Sequence, residues 1–296
     1  MPIRDILVCL DPTDAGETRL ELALSLAGAH RARLAGAFVL MEAIPGAPPY
    51  GGVGIASPGG VAGIPQGTAV AGGPVPAPAP ASNPAADLAD IVEQRFRAAL
   101  PPGQYSDDWH VFGSGEGEDL IRLAKSFDLV VCGQDSSDYP VATGFGPEDI
   151  VLGCAGPVLV VPYAGAFAQI GRCALIAWDG TREAVRAVHD ALPLLRAAES
   201  ATVISVAAHE GDFERWRPDF DRLIRHLERH GLAANVEETV RGDISVSDLL
   251  LSRAADFGAD LIVAGAYHHS PAREAWLGGV SRELLERMTV PVLMSH

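Results

Sequence analysis

An internal duplication constrains the fold of this 296-residue chain more than any other feature. The early segment IRDILVCLDPTDAGETRLELALSLA resembles GRCALIAWDGTREAVRAVHDALPLL, which follows residue 170. Each copy runs from an arginine through a short apolar strand to an aspartate, Asp11 or Asp179, and then into an amphipathic helix. Thr13 and Thr181 each follow that aspartate by two residues and are predicted helix N-caps. The chain is therefore predicted to contain two copies of one domain.

The order of strands and helices defines the predicted domain. The second copy reads as strand CALIAW, a helix over about 182–197, strand TVISVAA, a helix over about 213–230, strand NVEETV, a helix over about 246–257, strand DLIVAG, a loop, a last helix and strand VPVLMS. Strands that alternate with helices of this length predict right-handed crossovers and a parallel sheet. The predicted fold class is α/β, with two repeated doubly wound domains, each a five-stranded, mainly parallel sheet flanked by helices.

The first copy repeats this order with one long insertion over about 42–85, which is rich in Gly, Pro and Ala and nearly free of charge. Such a composition favours a flexible or extended loop. The insertion is either a spacer without chemistry or a lid or partner-binding arm. The predicted domains are 1–163 and 171–296, joined by a linker over 164–170.

Charge and hydropathy argue against two classes of partner. The net charge at pH 7 is −16, and because nucleic-acid binding needs a basic face, no nucleic-acid partner is expected. The uncharged run over 151–171 is interrupted by glycines and prolines, and the N-terminal apolar run is too short for a signal peptide. We therefore expect a cytoplasmic protein without a membrane partner.

The scattered cysteines, which form no Cys-x-x-Cys pair, are expected to be reduced core thiols: Cys9, Cys132, Cys154 and Cys173.

The loop GAYHHSPAREAWLGGVS is the candidate binding motif, because it follows a predicted strand and precedes a predicted helix. Open α/β sheets bind ligands at this end of their strands. Gly278 and Gly279 begin the helix, whose free N–H groups and dipole attract anions. Ser281 offers a hydroxyl, and Arg273 or Arg282 could supply positive charge. The loop is therefore a candidate phosphate cradle.

Two other interpretations of this loop are weaker. His268 and His269 are adjacent, so their side chains diverge in an extended loop, whereas paired metal ligands favour an i, i+4 spacing on a helix. No metal site is therefore predicted. The chain contains neither a Gly-x-Ser-x-Gly elbow nor a Walker loop, so no dedicated catalysis is expected.

The two copies, together with the segment GAYHHSPAREAWLGGVSRELLERMTVPVLMSH, resemble the universal stress protein family. ATP-binding members carry the pattern Gly-x2-Gly-x9-Gly-Ser/Thr after the fourth strand. Gly265 and Gly278 match its first and third glycines, and the final VPVLMSH is also typical of the family. The resemblance covers both repeats and implies a five-stranded α/β domain that often binds an adenine nucleotide.

The resemblance also implies residue roles in the second copy. Asp179 would contact the ribose, and the backbone near Val206 would meet the adenine of ATP or another adenine nucleotide, with or without Mg²⁺. The phosphate cradle would comprise Gly265, His268, Gly278, Gly279, Val280 and Ser281. The sequence departs from the pattern twice, with His268 at the second glycine and Gly279 at the Ser/Thr position. His268 either obstructs the phosphates or, when protonated, pairs with them.

The first copy keeps the glycine spacing but is predicted not to bind a nucleotide. Its loop reads GQDSSDYPVATGFGPEDIVLG, and Pro147 removes an amide that a phosphate would need. Glu148 and Asp149 add two negative charges at the helix start, where they stabilise the helix dipole themselves.

The sequence leaves two functional hypotheses. The first is a stress-response regulatory protein that binds an adenine nucleotide in its second domain. The alternative is a universal stress protein that binds no nucleotide and acts as a protein-interaction or dimerisation module. In either case the terminal strands PVLVVP and VPVLMS would be exposed edges unless covered. The resemblance implies that the last strands of two domains pair or exchange. Because both copies lie on one chain, an internal pseudo-dimer of the two domains is predicted, and a homodimer is open as a further assembly.

Overall fold

A computed structural model of the chain describes residues 2–40, 84–101, 108–113, 115–135, 145–266 and 278–296. Residues 267–277, which include His268, lie outside the described residues, as does the insertion up to residue 83.

The first half begins with strand β1 and ends with strand β5. Its elements are β1 (Asp5–Leu10), α1 (Asp14–His30), β2 (Arg33–Val39), α2 (Pro84–Ala99), β3 (Trp109–Phe112), α3 (Gly117–Ala124), β4 (Leu129–Gly133), α4 (Pro147–Gly153) and β5 (Val158–Val161). Helix α2 begins at Pro84, next to the predicted end of the insertion at about residue 85. Proline suits the first helical turn, where its missing N–H has no intrahelical partner to lose.

The second half repeats the same succession after residues 162–172, which form neither helix nor strand. Its elements are β6 (Cys173–Ala177), α5 (Arg182–Ala191), β7 (Ser200–Ala207), α6 (Gly211–Arg229), β8 (Ala234–Val240), α7 (Val246–Asp256), β9 (Leu261–Gly265), α8 (Gly279–Arg287) and β10 (Val292–Ser295). The continuous helix predicted over about 182–197 is wrong, because α5 ends at Ala191 and Leu194–Ala197 form a 3₁₀ turn. Pro193 explains the break, since proline cannot donate the next helical hydrogen bond.

Both predicted threonine N-caps are confirmed. Thr13 Oγ1 accepts a hydrogen bond from the Gly16 amide at 3.2 Å, and Thr181 Oγ1 accepts one from the Ala184 amide at 3.2 Å. Each cap satisfies an amide that the first helical turn leaves without a partner. The caps fix the turn after β1 and the turn after β6 in the same way.

All ten described strands form one sheet in the order β3-β2-β1-β4-β5-β10-β9-β6-β7-β8. Every neighbouring pair is parallel except β5 and β10, which pair antiparallel with Leu293 opposite Leu159. The strand orders of the two halves therefore mirror each other about the β5–β10 pair. This arrangement confirms the predicted α/β fold class.

Helices cover both faces of the sheet. Buried side chains from α1, α2, α5 and α6 pack on one face, and those from α3, α4, α7 and α8 pack on the other. Leu159 and Leu293 at the junction of the halves are fully buried, and burying each contributes about 1.5–3 kcal/mol. The pairing of β5 with β10 therefore leaves neither strand as an exposed edge. Among the helices described, none combines the length and apolar character needed to cross a bilayer.

The cysteines are free thiols in or beside the core. Desolvation raises the pKa of the Cys9 thiol to about 12 and that of Cys154 to about 11. Because the thiolate is the reactive form, both groups are poor nucleophiles and poor metal ligands. They act as small apolar core residues.

Candidate functional site

A cavity of about 610 Å³ lies at the carboxyl ends of the second-half strands. Its volume falls within the usual range for small-molecule sites, about 300–1,000 Å³. The walls are mostly apolar, and the described lining residues are Ala177, Trp178, Asp179, Thr181, Ala184, Ile204, Val206, Val246, Leu250, Ala264, Gly265, Gly278, Gly279, Val280, Ser281, Leu284 and Met294. This is the end of a doubly wound sheet at which ligands bind.

The cavity brings together seven of the eight residues that sequence analysis assigned to nucleotide binding. These are Asp179, Val206, Gly265, Gly278, Gly279, Val280 and Ser281. The eighth, His268, lies outside the described residues. Its two possible effects, obstructing a phosphate or pairing with it, stay predictions from the sequence.

Asp179 offers the cavity one carboxylate oxygen. Its Oδ1 accepts hydrogen bonds from the Thr181 amide at 3.0 Å and from Thr181 Oγ1 at 2.6 Å. Its Oδ2 has no hydrogen-bond partner among the described residues. A carboxylate fixed through one oxygen can accept hydrogen bonds from ligand hydroxyls through the other.

The first turn of α8 forms the opposite end of the cavity. Gly278 is its N-cap, with an extended backbone and no side-chain cap, and the first turn contains no acidic residue. Within the described part of the chain its amide groups therefore have no side-chain acceptor, and the helix dipole adds partial positive charge. No Lys, Arg or His side chain is found among the described lining residues. Any anion bound here would be held mainly by backbone amides.

Arg282 is a weaker phosphate ligand than the sequence suggested. Its Nε lies 2.9 Å from Glu286 Oε1 and 3.6 Å from Glu148 Oε1. The hydrogen bond to Glu286, assisted by the charge of Glu148, raises the pKa of Arg282. The guanidinium is therefore already paired with two carboxylates. Arg273, the other predicted cation, lies outside the described residues.

Two of the predicted glycines have different physical roles. A Cβ at Gly265 would lie 2.5 Å from the Ala184 amide nitrogen and 2.6 Å from the Glu183 carbonyl carbon. Glycine is thus needed there to let α5 approach β9. A Cβ at Gly279 would meet no described atom within 4 Å. The described part of the fold therefore does not require a glycine at 279.

The equivalent cavity of the first half is only about 110 Å³. Arg19 occupies it with 4% of its surface exposed, donating through Nη1 to the Cys9 carbonyl at 2.6 Å and through Nη2 to Asp11 Oδ2 at 3.0 Å. Asp11 Oδ1 is taken by Thr13, so both carboxylate oxygens have partners. The position equivalent to Arg19 in the second half is Ala187. One arginine therefore accounts for the filled cavity and for the occupied aspartate.

The helix beside the small cavity also opposes anion binding. Pro147 begins α4 without an amide N–H, and Asp149 Oδ2 accepts the Gly146 amide at 2.8 Å. Desolvation, together with the charge of Asp149, raises the pKa of Asp135, which lines the same cavity. The first-half site is thus crowded with carboxyl groups and lacks the free amides of α8.

The fold and site define a class of protein: a tandem of Rossmann-like α/β domains with one open cavity above a glycine-started helix. Residues 173–296 match the model of the universal stress protein family. The first half has the same strand order.

Solved structures show the same fold over nearly the whole chain. A universal stress protein from Archaeoglobus fulgidus DSM 4304 is similar with a TM-score of 0.63 and 13% identity, covering 98% of this chain and 97% of that one. A putative universal stress protein from Pseudomonas aeruginosa UCBPP-PA14 is similar with a TM-score of 0.59 and 16% identity, covering 99% and 93%. At these identities the likeness concerns the fold alone. No curated protein sequence matches the chain.

The cavity lining includes residues that the sequence patterns do not assign to the site, among them Trp178, Val246 and Leu250. Trp178 directly precedes Asp179 and was assigned only to a strand, although its place before the aspartate was the available signal. Val246 and Leu250 lie one turn apart on α7, and this spacing is equally typical of residues that pack on a sheet.

A second cavity, of about 310 Å³, lies between α5 and α6 beside a cluster of histidines. The ring centroid of His226 lies 4.8 Å from that of His189 and 4.6 Å from that of His230. The buried Nε2 of His226 finds no hydrogen-bond partner in the parts of the chain that the structure describes. Within the described part of the chain, no three or more His, Cys, Asp and Glu side chains are placed to hold a metal ion. The cluster is therefore a proton-sensitive contact between two helices.

Acidification is expected to destabilise the protein through this cluster. Desolvation lowers the pKa of His226 below its usual 6.5, and His189, His230 and Arg229 lower it further. Because the unfolded chain then binds more protons than the folded one, stability falls as the pH drops below about 6.5. His226→Phe should lose less stability than the wild type between about pH 7.5 and about pH 5.5 in urea unfolding.

The matched control is His110→Phe, which removes a histidine from β3, outside the cluster. Its pH dependence should follow that of the wild type. Identical pH dependence in the wild type and in His226→Phe would contradict the assignment.

Proposed function

We propose that this protein is a cytoplasmic stress-response regulator whose second half binds an adenine nucleotide without dedicated catalysis. One observation carries the proposal. Judged by the described residues, the second-half cavity is open between Asp179, which has one carboxylate oxygen without a partner, and the start of α8, which has no side-chain cap, whereas the equivalent first-half cavity is filled by Arg19. The four free thiols are consistent with a reducing compartment.

The cavity offers matching chemistry for each part of a nucleotide. The apolar wall formed by residues such as Ile204 and Leu250 suits a purine base. The free Oδ2 of Asp179 suits ribose hydroxyls, which are hydrogen-bond donors. The amides and dipole at the start of α8 suit phosphate groups. A bound Mg²⁺ would neutralise phosphate charge near a cavity whose described lining contains no cation.

A binding role is supported further by what lines the cavity. Asp179 is the single ionisable side chain among the described lining residues. General acid–base catalysis requires a positioned proton donor and acceptor of suitable pKa, and the described lining does not offer such a pair.

Calorimetric titration tests the proposal. We expect ATP, ADP and AMP to give saturable heats, with and without Mg²⁺. Inorganic tripolyphosphate should bind more weakly, because it makes no use of the apolar wall. Absence of heat for all three nucleotides would overturn the proposal and favour the alternative of a protein-interaction module.

Asp179→Asn should weaken ATP binding about 10- to 100-fold, the usual effect of losing hydrogen bonds to a charged group. Adenosine should be weakened as much, because it keeps the ribose. Asp11→Asn in the first half is the matched control. It leaves Arg19 without its counterion and lowers stability, but the folded variant should bind ATP with unchanged affinity. Equal losses in the two variants would contradict the role of Asp179.

A further inference from the structure

A side chain from the first half holds the helix that starts the proposed phosphate site. Gln134 follows β4 and is 7% exposed. Its Nε2 donates to the Leu285 carbonyl at 2.8 Å and to the Glu286 carbonyl at 3.0 Å. Both carbonyls belong to the last turn of α8, where the helix itself provides no donor. Gln134 therefore caps the carboxyl end of α8 from outside its own half.

Gln134 is itself held at a fixed position. Its backbone amide donates to the Val161 carbonyl at 2.8 Å, and its Oε1 accepts the Tyr163 amide at 3.3 Å. Both partners lie at the end of β5 or directly after it, so the amide group is tied to the central part of the sheet. A shift of α8 along its axis would therefore break or stretch the hydrogen bonds from Gln134 Nε2 to the Leu285 and Glu286 carbonyls.

The contact is not required by the fold, because the other half lacks it. Ala266 occupies the position equivalent to Gln134 and has no side-chain donor. The matching helix α4 instead ends with a backbone hydrogen bond from the Cys154 amide to the Ile150 carbonyl at 2.9 Å. Among the described residues, no second-half side chain donates to a carbonyl in the last turn of α4, although Arg186 Nη2 donates to the Ala155 carbonyl just beyond it at 2.8 Å.

A second contact joins the first half to the start of α8. Glu148 lies in the first turn of α4, and its Oε1 is 3.6 Å from Nε of Arg282 in the first turn of α8. The first half therefore touches both ends of this nine-residue helix. Since a helix of this length moves as a rigid rod of about 13 Å, displacement at its end moves the amides at its start.

We propose that Gln134 is a positioning residue for nucleotide binding in the second half. By fixing the axial position of α8, it sets where the Gly279–Ser281 amides meet the phosphates. This inference rests on the proposed function, because it assigns Gln134 a positioning role at the same nucleotide site. The closed first-half site thus has a structural role, because Gln134, which follows β4 and lines that site, supports helix α8 of the open site.

The test compares ATP with adenosine in Gln134→Met, which keeps the side-chain length and removes both polar atoms. The dissociation constant for ATP should rise about three- to tenfold, the effect of losing one or two net hydrogen bonds. Adenosine, which does not reach the phosphate end, should bind with unchanged affinity. Hydrogen exchange without nucleotide should accelerate in the last turn of α8 and stay unchanged in α4.

Gln94→Met on the exposed face of α2 is the control and should match the wild type throughout. Equal loss of ATP and adenosine affinity, or faster exchange in all helices, would show a general structural role and overturn the proposal. Unchanged exchange in α8 would overturn it as well. Failure of the wild type to bind ATP is a separate result: it refutes the proposed function, and the exchange rates of α8 alone then decide whether Gln134 holds the helix.

Discussion

Replacing Gly278 by aspartate is expected to abolish ATP binding and to stabilise the protein slightly. Gly278 is the N-cap of α8 and has φ −61° and ψ 151°, a conformation that any L-residue adopts. An aspartate there would accept the free amides of the first turn, which stabilises a helix by a few tenths of a kcal/mol relative to glycine. The same carboxylate would occupy the proposed phosphate position. Like charges about 4 Å apart repel by about 4 kcal/mol near a protein surface, so affinity should fall at least about 100-fold.

The opposite signs of the two effects separate binding from folding. Gly278→Asn is the matched control, because asparagine caps a helix about as well as aspartate without the charge. It should stabilise the protein similarly and weaken ATP binding less. Calorimetry and urea unfolding measure the two quantities. Unchanged ATP affinity in Gly278→Asp would place the phosphates away from α8.

Arg19→Met is expected to cause a large loss of stability. Arg19 is almost fully buried and paired with Asp11, whose side chain is 16% exposed. Removing one partner of a buried ion pair costs about 3–5 kcal/mol, because the other charge is left without compensation. Asp11 keeps its hydrogen bonds to Thr13, so we expect about 2–4 kcal/mol in urea unfolding.

The double variant Asp11→Asn with Arg19→Met tests the cause of that loss. Without the aspartate charge, much of the stability should return, since a neutral pair needs no counterion. A double variant as unstable as Arg19→Met would attribute the loss to packing instead. Neither variant should create a second ATP site, because Pro147 and the acidic start of α4 remain.

The order of elements could be predicted because local patterns carry that information. Short apolar runs alternate with segments of helical periodicity, and this pattern was enough to predict a parallel α/β sheet. The Asp-x-Thr spacing was enough to predict the helix N-caps at Thr13 and Thr181. The duplication strengthened each assignment, since two copies were compared. The break at Pro193 was visible in the sequence, but the apolar pattern that continues beyond it was read as one helix.

The state of each candidate site depended on tertiary contacts that no local pattern reveals. Arg19 lies in an amphipathic helix, where an arginine normally faces water, and only the packed structure shows it paired with Asp11. The pairing of Arg282 with Glu148 joins residues from different halves of the chain. Gln134 contacts carbonyl groups 151 and 152 positions away. Backbone acceptors of this kind carry no sequence signature.

The number of ATP molecules bound per chain tests the central claim most directly. Native mass spectrometry with excess ATP should show one nucleotide per chain in the wild type and in Asp11→Asn, and none in Gly278→Asp. That result would place the nucleotide in the second half and confirm that the first-half site is closed. Two nucleotides per chain, or none in the wild type, would contradict the account.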